Sequence, residues 1–443
     1  MKTVLFGTGV VTLVLQLCIV TMGQATTSKM TEAQAPTSGV QTLPLPRAKP
    51  EEVGMSSKRL ALISETIDAE IAHGQLPGAV LAIARRGKVI YFEAFGYRDK
   101  AAGMPMTTDT IFKVASMTKP MTAVAALQLY EQGKLLMDDP IAKYFPEFAK
   151  MQVAVMDAKK ENIIDKVPAT RQITIQDLFR HTSGIPYGGR GTTAVHKMLP
   201  QGSELAGLSM TGSEFLEKLS SVPLLYQPGT VWDYGFGLDV LGLIVESITE
   251  QPLGQYLQAH VWKPLGMIDT SFRASADKTT RYAKALPNDP ITGQPQPGVA
   301  LNIAVKFDCG GGCAASTASD YLRFALMLMN KGKFGDTRIL GRKTVEYMLS
   351  NQLGPDVKNL IVNADPTRAG YGFGLGLAVR TTAGVVPLMG SVGDFNWPGA
   401  SGTNWWADPR EELVVVWMAN SPGTIRWKYR EMINALVYQA IVD

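Results

Sequence analysis

Residues 78–95 read Gly-Ala-Val-Leu-Ala-Ile-Ala-Arg-Arg-Gly-Lys-Val-Ile-Tyr-Phe-Glu-Ala-Phe. Two strand-like runs, 78–84 and 89–95, meet at Arg86-Gly87. Glycine takes positive φ without steric cost, so the spacing predicts a β-hairpin. Working outward, helical spacing covers 57–72, with Leu60, Ile63, Ile67 and Ile71 on one face. Further helices are expected at 116–132, stopped by Gly133, and at 174–180, 212–219, 238–248, 319–331 and 427–442. Strand-like runs return only late, at 372–380, 403–408 and 413–419. Strands at opposite ends of a chain must pair to bury their apolar faces. The expected fold is therefore α+β: a mixed or antiparallel sheet flanked by helices, carrying an inserted all-helical domain. The sheet domain is expected over 51–135 and 300–443, and the mainly helical domain over 136–299.

The chain has 443 residues, 46% hydrophobic and 19% charged, with a net charge of +4. That composition excludes long-range disorder, coiled coil and a small disulfide scaffold. So weak a charge gives no argument for nucleic acid or an anionic membrane surface. Lys2, the apolar run 10–20 and Gly23-Gln24-Ala25 read as a signal peptide over 1–25, so a secreted or periplasmic protein is expected. The apolar run is shorter than the ~20 residues of a spanning helix. Residues 26–50, rich in Thr, Ser, Ala, Gln and Pro, read as a flexible leader.

Cys309 and Cys313 flank three glycines and form a possible disulfide; two buried free thiols is the alternative. The four histidines, at 73, 181, 196 and 260, make no metal-binding spacing, and no metal or cofactor is expected. No GxSxG elbow and no P-loop occur. Gly372-Phe373-Gly374-Leu375-Gly376 has no helix behind it, so close backbone packing is its better reading. What remains is Ser116-Met117-Thr118-Lys119. It follows the apolar approach Ile111-Phe112-Lys113-Val114-Ala115 and precedes Pro120 and an apolar helix. Proline is best tolerated in a helix's first turn. A second SxxK, Ser275 to Lys278, lies in a polar stretch with no such helix. At a helix N-terminus Ser116 offers a free backbone N–H for an oxyanion, and Lys119 shares its face. The helix dipole and an apolar setting disfavour a charged ammonium, which lets Lys119 take the Ser116 proton.

Over residues 52–440 the chain resembles the serine β-lactamase/penicillin-binding-protein-like family, and within it the class C-like family VIII carboxylesterases. The first motif is Ser116 to Lys119. The second, a tyrosine after Pro-Gly-Thr, matches Pro228 to Tyr234. The third, K-T-G in β-lactamases and often W-G-G in the esterases, matches Trp397-Pro398-Gly399. The resemblance implies a β-lactamase/transpeptidase-like fold, with Ser116 as acylated nucleophile, Lys119 assisting its deprotonation and Tyr234 relaying protons. It further implies an oxyanion hole of the Ser116 and Ala400 N–H groups, and Trp397, Pro398 and Gly399 at the substrate. Two departures stand out. Gly235-Phe236 replaces the Y-x-N pattern, and Trp397 replaces a carboxylate-binding lysine. Both argue for neutral, apolar acyl groups, and Trp405 and Trp406 suit that, although strand alternation points them to opposite faces. The expected activity is hydrolysis of short-chain carboxylic esters. Amide hydrolysis, as in a β-lactamase or a D-amino-acid peptidase or carboxypeptidase, and acyl transfer are the alternatives. The expected partner is a small-molecule ester or amide.

Overall fold

The computed structural model describes residues 44–273, 275–296 and 304–443. The expected signal peptide and leader residues 26–43 lie outside them. Pro46 and Ala48, assigned to that leader, bond to the backbone of Val89.

Strands β1 (Gly78–Arg85) and β2 (Lys88–Asp99) form the expected hairpin. Arg86 (φ 51°) and Gly87 (φ 72°) turn the chain in the left-handed region. Strand β3 (Met104–Pro105) follows β2. The remaining strands come from the far end of the chain: β4 (Tyr371–Phe373), β5 (Ala378–Arg380), β6 (Phe395–Asn396), β7 (Asn404–Asp408) and β8 (Leu413–Ala419). They make one eight-stranded sheet in the order β4-β5-β6-β7-β8-β1-β2-β3. Every pairing is antiparallel. The two ends of the chain meet where β1 pairs β8, with Ala79 opposite Ala419 and Arg85 opposite Leu413.

Strand β1 is buried along its whole length because both faces of the sheet are covered. Its side chains alternate as a strand requires. Leu81 and Ile83 face helices α1 (Ser57–Ala72) and the C-terminal α5 (Ile425–Tyr438), with Ile63, Ile67, Tyr429 and Ile433. Val80, Ala82 and Ala84 face the larger core. That core holds α2 (Thr118–Glu131), α3 (Gly237–Thr249) and α4 (Ala318–Met329). Helix α2 is apolar almost all round and is buried as such a helix must be.

Two expectations are corrected. The run 372–380 is not one strand but β4 and β5, joined by a turn in which Gly374 N–H bonds Leu377 O and Gly376 takes φ 86°. A continuous apolar run hid the turn because the turn is itself buried. The middle of the chain also holds a hairpin, Gln152–Met156 with Ile163–Pro168, where mostly short helices and loops were expected. Its second strand is largely exposed, so it lacks the apolar alternation that announces a strand.

At the end of β5, Arg380 Nε lies 2.6 Å from Asp394 Oδ2, and Tyr371 donates to Asp394 Oδ1 at 2.7 Å. Both charged side chains are 2% exposed. Removing one partner strands the other charge in the interior. Asp394→Ala should therefore lose about 3–5 kcal/mol of stability, read by denaturant unfolding. A loss under about 1 kcal/mol would show that water reaches Arg380.

Candidate active site

The approach to Ser116 is held from several sides. Ala115 sits at φ 44°, a left-handed conformation that costs a non-glycine residue about 1–3 kcal/mol. Such strain persists only when neighbours fix it. Val114 N–H bonds Ala314 O at 3.0 Å, and Tyr321 of α4 donates to Met117 O at 2.8 Å. Thr118 Oγ1 donates to Ala115 O at 2.7 Å and accepts from Ala314 N at 3.0 Å. Ser116 thus stands on a 3₁₀ turn (Ala115–Met117) that leads into α2.

Lys119, in the first turn of α2, is 0% exposed. Its Nζ lies 3.4 Å from Ser116 Oγ and donates to Tyr187 OH at 2.9 Å and to Gly311 O at 2.5 Å. Tyr234 donates to Ser116 Oγ at 2.7 Å, and Trp397 Nε1 donates to Tyr234 OH at 3.1 Å. The structure thus brings Ser116, Lys119, Tyr234 and Trp397 together. Trp397-Pro398-Gly399 follows directly on β6. A Cβ on Gly399 would collide with Val114 O and Thr403 Oγ1, so only glycine lets this segment reach the Ser116 turn. Ala400 lines the space around Ser116. The departure at Gly235 has a similar cause, since a Cβ there would strike Ile185 O. Phe236 packs its ring on Tyr187, centroids 4.5 Å apart.

A closed ring of polar groups, not anticipated from the sequence, surrounds the lysine. Tyr187 OH lies 2.7 Å from Ser203 Oγ, which donates to Asp239 Oδ2 at 2.8 Å. Asp239 Oδ1 accepts from Gly311 N at 2.9 Å, and Gly311 O accepts from Lys119. Burial pushes the Asp239 carboxyl up, opposed by the Lys119 charge and by its hydrogen bonds. Burial, reinforced by the Asp239 charge, raises the Tyr187 phenol well above its ordinary value, so Tyr187 stays a hydroxyl. Buried His181 is pushed well below the usual histidine range, first by burial and then by the Lys119 charge. It is neutral, and its ring packs edge-on against Tyr234, centroids 4.8 Å apart. Cys309 and Cys313 bracket Gly311, with Cα atoms 5.4 Å apart, within disulfide span.

Two cavities meet at Ser116, Arg190, Tyr234 and Ala400. One, about 240 Å³, runs between Tyr187, Gln201, Leu205 and Gly312. The other, about 30 Å³, lies between Trp397, Asp365, Arg426 and Arg430. A larger cavity of about 640 Å³ at Trp262 and Phe272 touches none of the residues above, so size does not mark this site. Trp405 packs on Tyr321 and Trp406 on Tyr438, on opposite sheet faces, and neither lines the Ser116 cavities. The expectation that they serve an apolar substrate is corrected: both are core. The second SxxK falls on a turn (Ala276–Arg281) with no buried residue. Among the described residues no cluster of three His, Cys, Asp or Glu could hold a metal ion.

The Beta-lactamase family model matches residues 63–438. The chain is 38% identical over 373 residues to protein Rv1367c of Mycobacterium tuberculosis, covering 81% of this chain and 88% of that one. It is 30% identical over 387 residues to esterase EstB of Burkholderia gladioli, covering 82% and 90%. Among solved structures it resembles EstCE1, a hydrolase with promiscuous acyltransferase activity, with TM-score 0.70, 28% identity and coverage of 86% and 98%.

If the ring orients Lys119, Asp239→Asn and Tyr187→Phe should each lower kcat on an activated ester by on the order of 10–100-fold. The variants should keep their near-UV circular dichroism, and the pH–rate profile should change shape. An unchanged kcat and profile in both would show that the ring only packs.

Proposed function

The chain belongs to the serine β-lactamase, penicillin-binding-protein and family VIII esterase superfamily and performs a serine-hydrolase-type reaction, and on that premise we propose that it cleaves short-chain carboxylic esters through an acyl-enzyme on Ser116. The observation that carries the reading is the contact of three groups. Tyr234 OH is 2.7 Å and Lys119 Nζ 3.4 Å from one Ser116 oxygen. Once Lys119 has given up its proton to solvent, Ser116 Oγ attacks the ester carbonyl carbon as its own proton passes to the Lys119 amine. The carbonyl oxygen gains negative charge and is held by the N–H groups of Ser116 and Ala400. Tyr234 gives its proton to the departing alkoxide and recovers one from Lys119. Water then attacks the acyl carbon by the same transfers in reverse. Two features favour esters over β-lactams. Trp397 occupies the third-motif position where β-lactamases carry a lysine, and EstB and EstCE1 are similar over most of their length.

An alcohol can take the place of water in the second step, since both present an O–H to the same pair of groups. The similarity to EstCE1 favours this acyl transfer as a second outcome of one mechanism. Export to the periplasm or exterior rests on residues 1–25; no described helix is long and apolar enough to cross a membrane.

A nitrophenyl acetate-to-octanoate series should give higher kcat/KM than a chromogenic cephalosporin, with the shorter acyl chains preferred. The reverse order would reassign the enzyme to amide chemistry. Rapid quench and intact mass should show one acyl group on the wild type and none on Ser116→Ala, whose kcat should fall by at least about 10³-fold. Full activity in Ser116→Ala would end the mechanism.

A further inference from the structure

Cys309-Gly310-Gly311-Gly312-Cys313 makes one tight turn against Lys119. Its first carbonyl, Cys309 O, accepts from Gly312 N at 3.1 Å and from Cys313 N at 3.2 Å. The peptides that follow are bound to the elements around Ser116. Gly310 O accepts from Thr122 Oγ1 at 2.8 Å, and Gly311 N donates to Asp239 Oδ1 at 2.9 Å. Gly311 O accepts from Lys119 Nζ at 2.5 Å. Just beyond, Ala314 N donates to Thr118 Oγ1 and Ala314 O accepts from Val114 N, both at 3.0 Å. This short segment thus touches α2, α3 and the approach to Ser116 at once.

The glycines are set by contact distance. A Cβ on Gly310 would collide with Leu238 O, one on Gly311 with Asp239 and Ser203, and one on Gly312 would press on Ser203 Cβ. Glycine also loses more conformational freedom on ordering than any other residue, so three in a row are the loosest of backbones. Without a cross-link, Lys119 depends for its acceptor on the most mobile kind of chain. A covalent tie across the glycines would remove that freedom. The ends are placed for one. The Cα atoms of Cys309 and Cys313 are 5.4 Å apart, the usual separation of a bonded pair. Both side chains are buried, 0% and 6% exposed. They lie under the short helix Ser203–Ser209, where a Cβ on Gly207 would strike Cys309 Sγ. That helix begins with Ser203, the ring member between Tyr187 and Asp239. The exported location read from residues 1–25 is an oxidising one, where such bonds persist.

We propose that Cys309 and Cys313 are joined by a disulfide and that this bond is a positioning element of the reaction, holding the Gly311 carbonyl against the Lys119 nitrogen. In closing, the two thiols lose two protons and two electrons to a disulfide oxidant, which leaves as two thiols. With the bond open, the three glycines loosen, the carbonyl leaves the lysine, and Nζ no longer faces Ser116 Oγ in one fixed direction. The effect on turnover rests on the ester-hydrolase reading; the existence of the bond does not.

The test uses the whole enzyme and reads the bond and its role separately. Alkylation of the denatured protein, followed by peptide mass mapping, should leave Cys309 and Cys313 unlabelled until a phosphine reductant is added, and should then label both. Labelling of both without reductant would overturn the bond. For the role, kcat on nitrophenyl acetate and its pH profile are measured for Cys309→Ala, Cys313→Ala and the double variant, with near-UV circular dichroism as the check on folding. Breaking one bond from either side is the same event. All three variants should therefore lose kcat alike, by about tenfold, and share one altered pH profile. Wild type reduced until both thiols alkylate should match them, and reoxidation with oxidised glutathione should restore rate and profile together. If the variants and the reduced enzyme keep kcat within twofold and the profile unchanged, the positioning role is overturned. The rate at which a fluorophosphonate labels Ser116 is compared in the same proteins, since it needs no ester turnover. Labelling about tenfold slower in the variants, with no hydrolysis of nitrophenyl acetate by the wild type, would sustain the positioning role and end the ester reading.

Discussion

An ammonium or amine cannot be taken wholly out of water without partners, and Lys119 is wholly out of water. The penalty for an isolated buried charge is several kcal/mol, which is comparable to the net stability of a domain. The fold meets it with a ring: the Tyr187 hydroxyl, Ser203, the Asp239 carboxyl and the Gly311 peptide, which returns to the lysine. Each member comes from a different stretch of chain, so each loop is located by the needs of one nitrogen. The glycines between Cys309 and Cys313 fit the same demand. A Cβ on Gly311 would collide with Asp239 and Ser203, and the bracketing cysteines lie within disulfide span on either side of the peptide that presents its carbonyl.

The sheet supplies the other half of the site. Antiparallel pairing through β6, β7 and β8 to β1 runs from the third-motif segment to the first hairpin. Gly399 then lets that segment touch the Val114 carbonyl, two residues before Ser116. Position is thus transmitted by backbone contact, which tolerates little error. The left-handed Ala115 is the strained joint between the strand-like approach and α2, and its strain is offset by the bonds from Ala314, Thr118 and Tyr321.

Much of this was legible in the residues. The hairpin at 86–87 declares itself through period and turn chemistry, and α1 through its apolar spacing, because both are local signals. The grouping of Ser116, Lys119, Tyr234 and Trp397 came from motif order, since no local pattern joins residues 118 apart. The ring was invisible for the same reason: Tyr187, Ser203 and Asp239 are ordinary in sequence and acquire meaning only by proximity. A missing lysine at the third motif suggested an uncharged substrate, while Arg190 and Arg426 bring cations to that corner from elements no spacing connects. Trp405 and Trp406 were overread because aromatic clusters look like substrate walls, and burial in a twisted sheet is the commoner use of such side chains.

The site therefore combines a serine on a strained turn, a lysine held by a ring, a phenol capped by an indole and a guanidinium-lined corner. Its chemistry stands or falls on whether Tyr234 and Lys119 attend the same oxygen during turnover. The most direct measurement is a crystal structure of the enzyme after reaction with a short alkyl phosphonate ester. The expected result is phosphorus on Ser116 Oγ, one phosphoryl oxygen between the N–H groups of Ser116 and Ala400, and Tyr234 OH within about 3 Å of the leaving-group position. A label on any other side chain, or a Tyr234 hydroxyl more than about 5 Å from the adduct with Lys119 turned away, would contradict it.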